Sequence, residues 1–197
     1  MSKAPVKALF TDVGGVLLTN GWESSYRKLA AEKFHLDLAE MDSRHRLAFD
    51  TFEIGKISFD EYLNLIVFHK PRDFSMDEFK AFAFGQSKPF QETIELIRQV
   101  KRRHQLKVAA VSNEGRELNQ YRIREFGLTE FIDFFVTSCF VGLRKPDPAI
   151  FRMAIDLAQV PPEQIVYLDD RPLLVEAAAR TGLMAVHHTE CEKTRSL

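Results

Sequence analysis

A chain of 197 residues, 45% apolar and 28% charged, can bury a sizeable core and hold one domain, or one domain with an insertion. Its formal net charge of −1 offers no electrostatic footprint for nucleic acid or for an anionic membrane. The apolar run Ala8-Leu9-Phe10 behind the charged start is too short for a signal peptide or a membrane span. The two cysteines, Cys139 and Cys191, lack metal-type spacing, so a cytoplasmic protein with reduced thiols is expected.

Residues 6–11 read as a first strand that runs out at Asp12. The next strand with a polar residue at its end is 107–111, followed by Ser112. The stretch between them, from Trp22 to Phe84, is dense in helix formers with periodic apolar positions: Tyr26, Leu29, Ala30 and Phe34, then Phe59, Tyr62, Leu63, Ile66 and Val67. Ser58 and Glu61 form a capping-box pattern ahead of the second run. A helical cap over residues 19–87 is therefore expected, inserted into a core made of 1–18 and 88–197. Its many phenylalanines, Phe49, Phe52, Phe59, Phe68, Phe74, Phe79, Phe82 and Phe84, should build the cap's own small core, with one or two facing a site.

Beyond the cap the spacing predicts a helix over 90–104, whose basic end Lys101-Arg102-Arg103 suits the helix dipole. A strand over 107–111, a helix over 115–126 and a strand over 133–137 follow. Asp147 is placed to cap a helix that opens at Pro148. A strand over 165–168, a helix over 172–181 ending at Gly182 and a strand over 183–187 complete the series; the polar tail 189–197 should be marginal in order.

Strands alternating with helices make a doubly wound, Rossmann-like α/β fold with a parallel sheet. The carboxyl ends of such strands share one edge, and ligands bind there. Asp12, Ser112, Lys145 (after a further apolar stretch) and the pair Asp169-Asp170 should meet at that edge. An acidic cluster, a hydroxyl and a lysine at one point suit a divalent cation and a phosphate.

Thr-Asp-Val-Gly-Gly-Val-Leu (11–17), Val-Ser-Asn (111–113), Gly-Leu-Arg-Lys-Pro-Asp-Pro (142–148) and Tyr-Leu-Asp-Asp (167–170) resemble, in order, the four motifs of the haloacid dehalogenase superfamily. Most members are phosphatases. The resemblance implies that Asp12 is a nucleophile forming an aspartyl phosphate. It also implies that Asp12, Asp170 and the Gly14 carbonyl hold Mg2+. Ser112 and the region of Asn113 would grip phosphate oxygens, Lys145 would face the transferring group, and Asp169 would hold Lys145. Gly14 and Gly15 allow the tight turn behind the nucleophile. The implied partner is a small phosphorylated metabolite, a sugar phosphate among the options.

The chain departs from the family pattern at Gly14, where most of these phosphatases carry a second aspartate as acid and base. The acidic position after the Asp-Asp pair is also lost, at Leu173, Leu174 and Val175. A substitute acid would come from Glu23, Glu53 or Glu114, and an aspartate restored at position 14 should help alkyl phosphate turnover if the cap leaves room. Trp22, Arg44, Arg46 and Glu53 are the cap residues placed to reach a substrate. Two other readings compete: a metal-free dehalogenase, disfavoured by Asp169-Asp170 beside an anionic substrate, and a phosphate-binding or partner-binding module that has lost turnover.

Overall fold

The computed structural model describes residues 5–195; the first residues of the charged start and the last two of the tail lie outside that range. Five strands, β1 (Ala8–Thr11), β2 (Lys107–Ser112), β3 (Phe134–Thr137), β4 (Ile165–Asp169) and β5 (Met184–His187), form one sheet. Its order is β3-β2-β1-β4-β5, and each pairing is parallel. The chain winds outward from β1 through β2 to β3, then crosses back to set β4 on the other side of β1. The sheet therefore reverses direction between β1 and β4, which is where doubly wound folds bind ligands.

Alternation along the strands assigns the two faces. Leu9, Val108, Ala110 and Leu168 pack against Ile94 and Ile97 of α5 (Gln91–His104). On the opposite face, Phe10, Ala109, Val111 and Tyr167 pack against Ile150, Phe151 and Ala154 of α8 (Pro148–Ala158) and Ala178 of α9 (Pro172–Ala179). Asp147 caps α8 by accepting the Ala149 N–H, with Pro148 in the first turn, where its missing donor does no harm. α6 (Arg116–Glu125) follows β2.

Between β1 and α5 lie four helices: α1 (Ser24–Lys33), α2 (Leu38–Glu53), α3 (Phe59–Ile66) and α4 (Met76–Gly85). They enclose a core of their own, with Phe52, Phe59, Tyr62, Leu63, Ile66 and Phe79 buried and the remaining phenylalanines of this stretch packed around them. Two capping boxes start α3 and α4, Ser58 with Glu61 and Ser75 with Glu78. The chain enters and leaves this insertion at one point: Thr19 donates its N–H to Lys88 at 2.8 Å, and its hydroxyl donates to the Gln86 carbonyl at 2.8 Å.

Three expectations change. Leu29 of α1 is exposed rather than part of the insertion's core. A short helix, α7 (Ser138–Val141), follows β3, so Lys145 does not sit at a strand end but on a loop beyond that helix. The tail is not irregular in its described part: Cys191–Arg195 form α10, which packs against α5, and His188 Nδ1 hydrogen-bonds the Thr194 hydroxyl at 2.7 Å. Neither cysteine is in a disulfide.

Candidate active site

Asp12 leaves β1 at the reversal point with its N–H donated to Leu168 of β4. Its Oδ1 accepts from the Val13 N–H at 2.7 Å and the Ser112 hydroxyl at 2.6 Å, while its Oδ2 meets Lys145 Nζ at 2.9 Å. Burial raises the Asp12 pKa from the ordinary carboxylate range, against the pull of Lys145 and the Ser112 hydrogen bond.

Lys145 is fully enclosed. Its ammonium uses all three donors, to Asp12, to Asp169 Oδ2 at 2.8 Å and to the Tyr167 hydroxyl at 3.0 Å. Burial works against the charge, but the two carboxylates outweigh it and the pKa is raised overall. Asp169 is saturated in turn: Oδ2 also accepts from Tyr167, and Oδ1 accepts the Arg171 N–H at 2.9 Å. Its geometry is that of a residue holding Lys145.

Asp170 differs. Among the described residues its buried Oδ1 has no hydrogen-bond partner, and Oδ2 receives a long contact from Asn20 at 3.4 Å. Asp12, Asp169 and Asp170 present oxygens within 4.8 Å of one another. Gly15 makes this approach possible. Its φ is 76°, and a Cβ there would overlap the Asp170 carboxylate, so only glycine fits. An orphaned buried carboxylate oxygen in an all-oxygen cluster fits a hard divalent cation.

A cavity of about 330 Å³ opens from Asp12 toward the insertion, lined on the core side by Ser112, Asn113, Glu114 and Lys145. Trp22, Phe49, Phe52 and Glu53 close the other side, and Glu23 also lines it. Arg44 does not, being engaged with Glu40 and the Leu65 carbonyl, and Arg46 lies on the exposed surface. The Glu114 and Glu53 carboxyl groups are both pushed up by burial and pulled back by an arginine each, Arg122 and Arg144 respectively. Arg122 reaches Glu114 Oε1 at 2.6 Å, the Ser87 hydroxyl at 3.0 Å and the Thr19 carbonyl at 2.9 Å, binding the site to both strands of the insertion's entry point.

The site thus unites Asp12, Gly14, Gly15, Ser112, Asn113, Lys145, Asp169 and Asp170 as the sequence indicates. It adds Tyr167, Asn20 and Arg122. Tyr167 was findable, since it lies two residues before Asp169 and so on the same face of β4. The partners of Arg122 lie outside its own helix, at Thr19, Ser87 and Glu114, and so leave no local pattern.

A parallel α/β sheet that gathers carboxylates, a hydroxyl and a lysine at its reversal point belongs to the class of α/β proteins with an acidic, cation-ready site. A family model described as haloacid dehalogenase-like hydrolase matches residues 6–182, and the chain belongs to that family. It is 39% identical over 75 residues to haloacid dehalogenase-like hydrolase domain-containing protein 3 of Xenopus laevis, covering 38% of this chain and 30% of that protein. The first such curated relatives are spanned over only 30%, 11% and 27% of their length. A phosphorylated carbohydrates phosphatase of Thermotoga maritima is 24% identical over 193 residues, covering 92% of this chain and 84% of its own. Among solved structures, a HAD family enzyme of Bacteroides thetaiotaomicron in its magnesium complex superposes with a TM-score of 0.78 over 94% of both chains; at 18% identity this likeness concerns the fold alone. Among the described residues, no helix is long and apolar enough to cross a membrane.

Proposed function

We propose that this hydrolase is a magnesium-dependent phosphatase of a small phosphomonoester, and that residues 19–87 act as a cap over its site. The observation that carries the reading is Asp170 Oδ1, a buried acceptor without a partner beside the nucleophile position. Asp12, Asp170 and the Gly14 carbonyl would hold Mg2+, which supplies positive charge to the phosphoryl oxygens and offsets the carboxylates. The Thermotoga relative is a phosphatase by name, as is a 34% identical phosphoserine phosphatase of Thermus thermophilus matched over 86 residues. The Bacteroides enzyme has also been seen with magnesium and inorganic phosphate.

In this reading an Asp12 oxygen attacks phosphorus, the ester oxygen leaves on the opposite side toward the insertion, and water then hydrolyses the aspartyl phosphate. Ser112 and the backbone after it grip the phosphoryl oxygens, and Lys145 faces the charge that builds there. No carboxylic acid stands at position 14 to protonate the leaving oxygen, a form of help typically worth roughly 10²–10⁴-fold. Esters with good leaving groups should therefore turn over best.

Phosphate release from a panel of aryl and alkyl phosphomonoesters, with and without Mg2+, tests this. Asp12→Asn should fold normally and lose at least roughly 10³-fold in turnover. A folded Asp12→Asn protein that keeps its rate overturns the mechanism. Halide release without metal would favour a dehalogenase, and phosphate binding without turnover would favour a binding module.

A further inference from the structure

We propose that Glu114 binds the leaving group, its Oε2 accepting a hydrogen bond from a hydroxyl near the ester oxygen, so that the substrates are phosphate esters of neutral polyols. This rests on the phosphatase reading above and specifies what is attached to the phosphate.

Glu114 is only 4% exposed, yet it lines the core side of the cavity into which the leaving group would depart. Its two oxygens have different surroundings. Arg122 takes Oε1 at 2.6 Å, while Oε2 faces Gly21, where an added Cβ would lie 3.3 Å from it. Gly21 leaves that oxygen uncovered. A buried carboxylate oxygen open to a cavity is a strong acceptor, and a hydroxyl donor there gains a charge-assisted bond.

The charge balance of this half of the cavity selects a neutral donor. Glu114 is paired with Arg122, Glu53 with Arg144, and Arg27 with Asp42, and the other lining charges of this half, Glu23 and Arg171, are opposite in sign. A cationic leaving group would meet carboxylates already neutralised by their own arginines. The walls suit the other surface of a polyol: Trp22, Phe49 and Phe52 line the cavity with aromatic carbon for its C–H groups. Phe52 comes this close because residue 115 is glycine; a Cβ there would overlap the Phe52 ring. A volume of about 330 Å³ lies at the low end of ligand cavities, which run roughly 300–1,000 Å³, so the alcohol is small.

The test is a cycle of two substrates and three proteins. Glycerol 1-phosphate and propyl phosphate differ only in the hydroxyls, and kcat/KM is measured for both with Mg2+ in the wild type, Glu114→Gln and Gly21→Ala. The ratio between variants cancels the intrinsic reactivity of the two esters. The wild-type preference for the hydroxylated ester should fall on the order of tenfold or more in Glu114→Gln, the scale of a hydrogen bond to a charged group. Gly21→Ala should lose it as well, because its methyl covers Oε2 while leaving the Arg122 pair intact. That variant decides the matter if Glu114→Gln proves unstable. An unchanged preference in a folded variant overturns the proposal while p-nitrophenyl phosphate turnover still upholds the phosphatase reading. A wild type that hydrolyses no phosphomonoester with Mg2+, aryl ester included, overturns both.

Discussion

Asn113 holds Lys145 by both of its backbone polar groups: its Nδ2 donates to the Lys145 carbonyl at 2.9 Å, and its Oδ1 accepts the Lys145 N–H at 2.9 Å. Asn113 follows directly on Ser112, so the residue proposed to grip phosphate and the residue that braces the lysine belong to one short segment. The side chain of Asn113 is a brace for the loop 142–147 rather than a free ligand for substrate.

Replacing Asn113 by Ala should therefore act on Lys145. The loop would lose both bonds and leave a partly buried N–H and carbonyl unpaired, at about 1–3 kcal/mol for such a group. Turnover should fall while the protein stays folded, with the drop in kcat larger than the rise in KM. Denaturant midpoints with steady-state kinetics check this, and an Asn113→Ala enzyme of normal kcat would show that the lysine needs no brace.

Much of this arrangement is legible in the sequence because the parallel strands end in it. Asp12, Ser112 and Asp169-Asp170 follow buried strands, and topology alone brings them to one edge. Lys145 is legible only through its motif, since α7 separates it from β3 and the apolar residues around Cys139 belong to that helix turn. The pairing of Glu114 with Arg122 joins a residue ahead of α6 to one inside it, so helical periodicity does not betray it, and the other partners of Arg122, Thr19 and Ser87, belong to the insertion's two ends. α10 is five residues long, too short for a periodic pattern to emerge.

Magnesium should bind weakly alone and more tightly with phosphate or a phosphate mimic, because two carboxylates and one carbonyl fill only part of an octahedral shell. Asp170→Asn should lose most of that affinity, on the order of tenfold or more. The orphaned Oδ1 also predicts that the variant is no less stable than the wild type without metal, since an amide relieves a crowded acidic cluster. Calorimetry and a metal-free thermal melt read the two halves of this expectation; unaltered metal binding would make Asp170 structural.

The insertion carries a pH-dependent element. Trp22 Nε1 donates to the Tyr62 hydroxyl at 3.0 Å, and that hydroxyl lies 2.6 Å from His45 Nδ1, a pairing that suits a neutral imidazole accepting the Tyr62 proton. Burial, with the nearby Arg27 charge, lowers the His45 pKa from 6.5 to about 4. The folded state thus binds this proton more weakly than the unfolded chain. The stability contributed is complete above 6.5 and lost as pH falls toward about 4. Trp22 is the single tryptophan and reports on the network directly. Its fluorescence-detected melting temperature should drop across that window in the wild type, and less steeply in His45→Asn; parallel slopes would remove His45 from the pH response.

Gly14 is not a glycine for reasons of backbone strain, since it is not among the residues with positive φ. The space beside it is tight. A Cβ at position 14 would lie 3.1 Å from Asn20 Oδ1 and 3.7 Å from Glu114 Oε1. An aspartate there would bring a second carboxylate toward a buried one whose single arginine is already engaged, and like charges at such range disfavour each other's ionised form. The sequence alone suggests that Gly14→Asp could restore alkyl phosphate turnover; the structure reverses that expectation. The single variant should lose about 1–3 kcal/mol of stability and gain no turnover. Combining it with Glu114→Gln removes the like charge, so the double variant should be more stable than the two separate losses predict, by about 0.5–3 kcal/mol of coupling. Urea midpoints of the four proteins in this cycle measure that coupling, and a Gly14→Asp protein that is as stable as the wild type and faster on alkyl phosphates would show that Glu114 does not occupy the place of the missing acid.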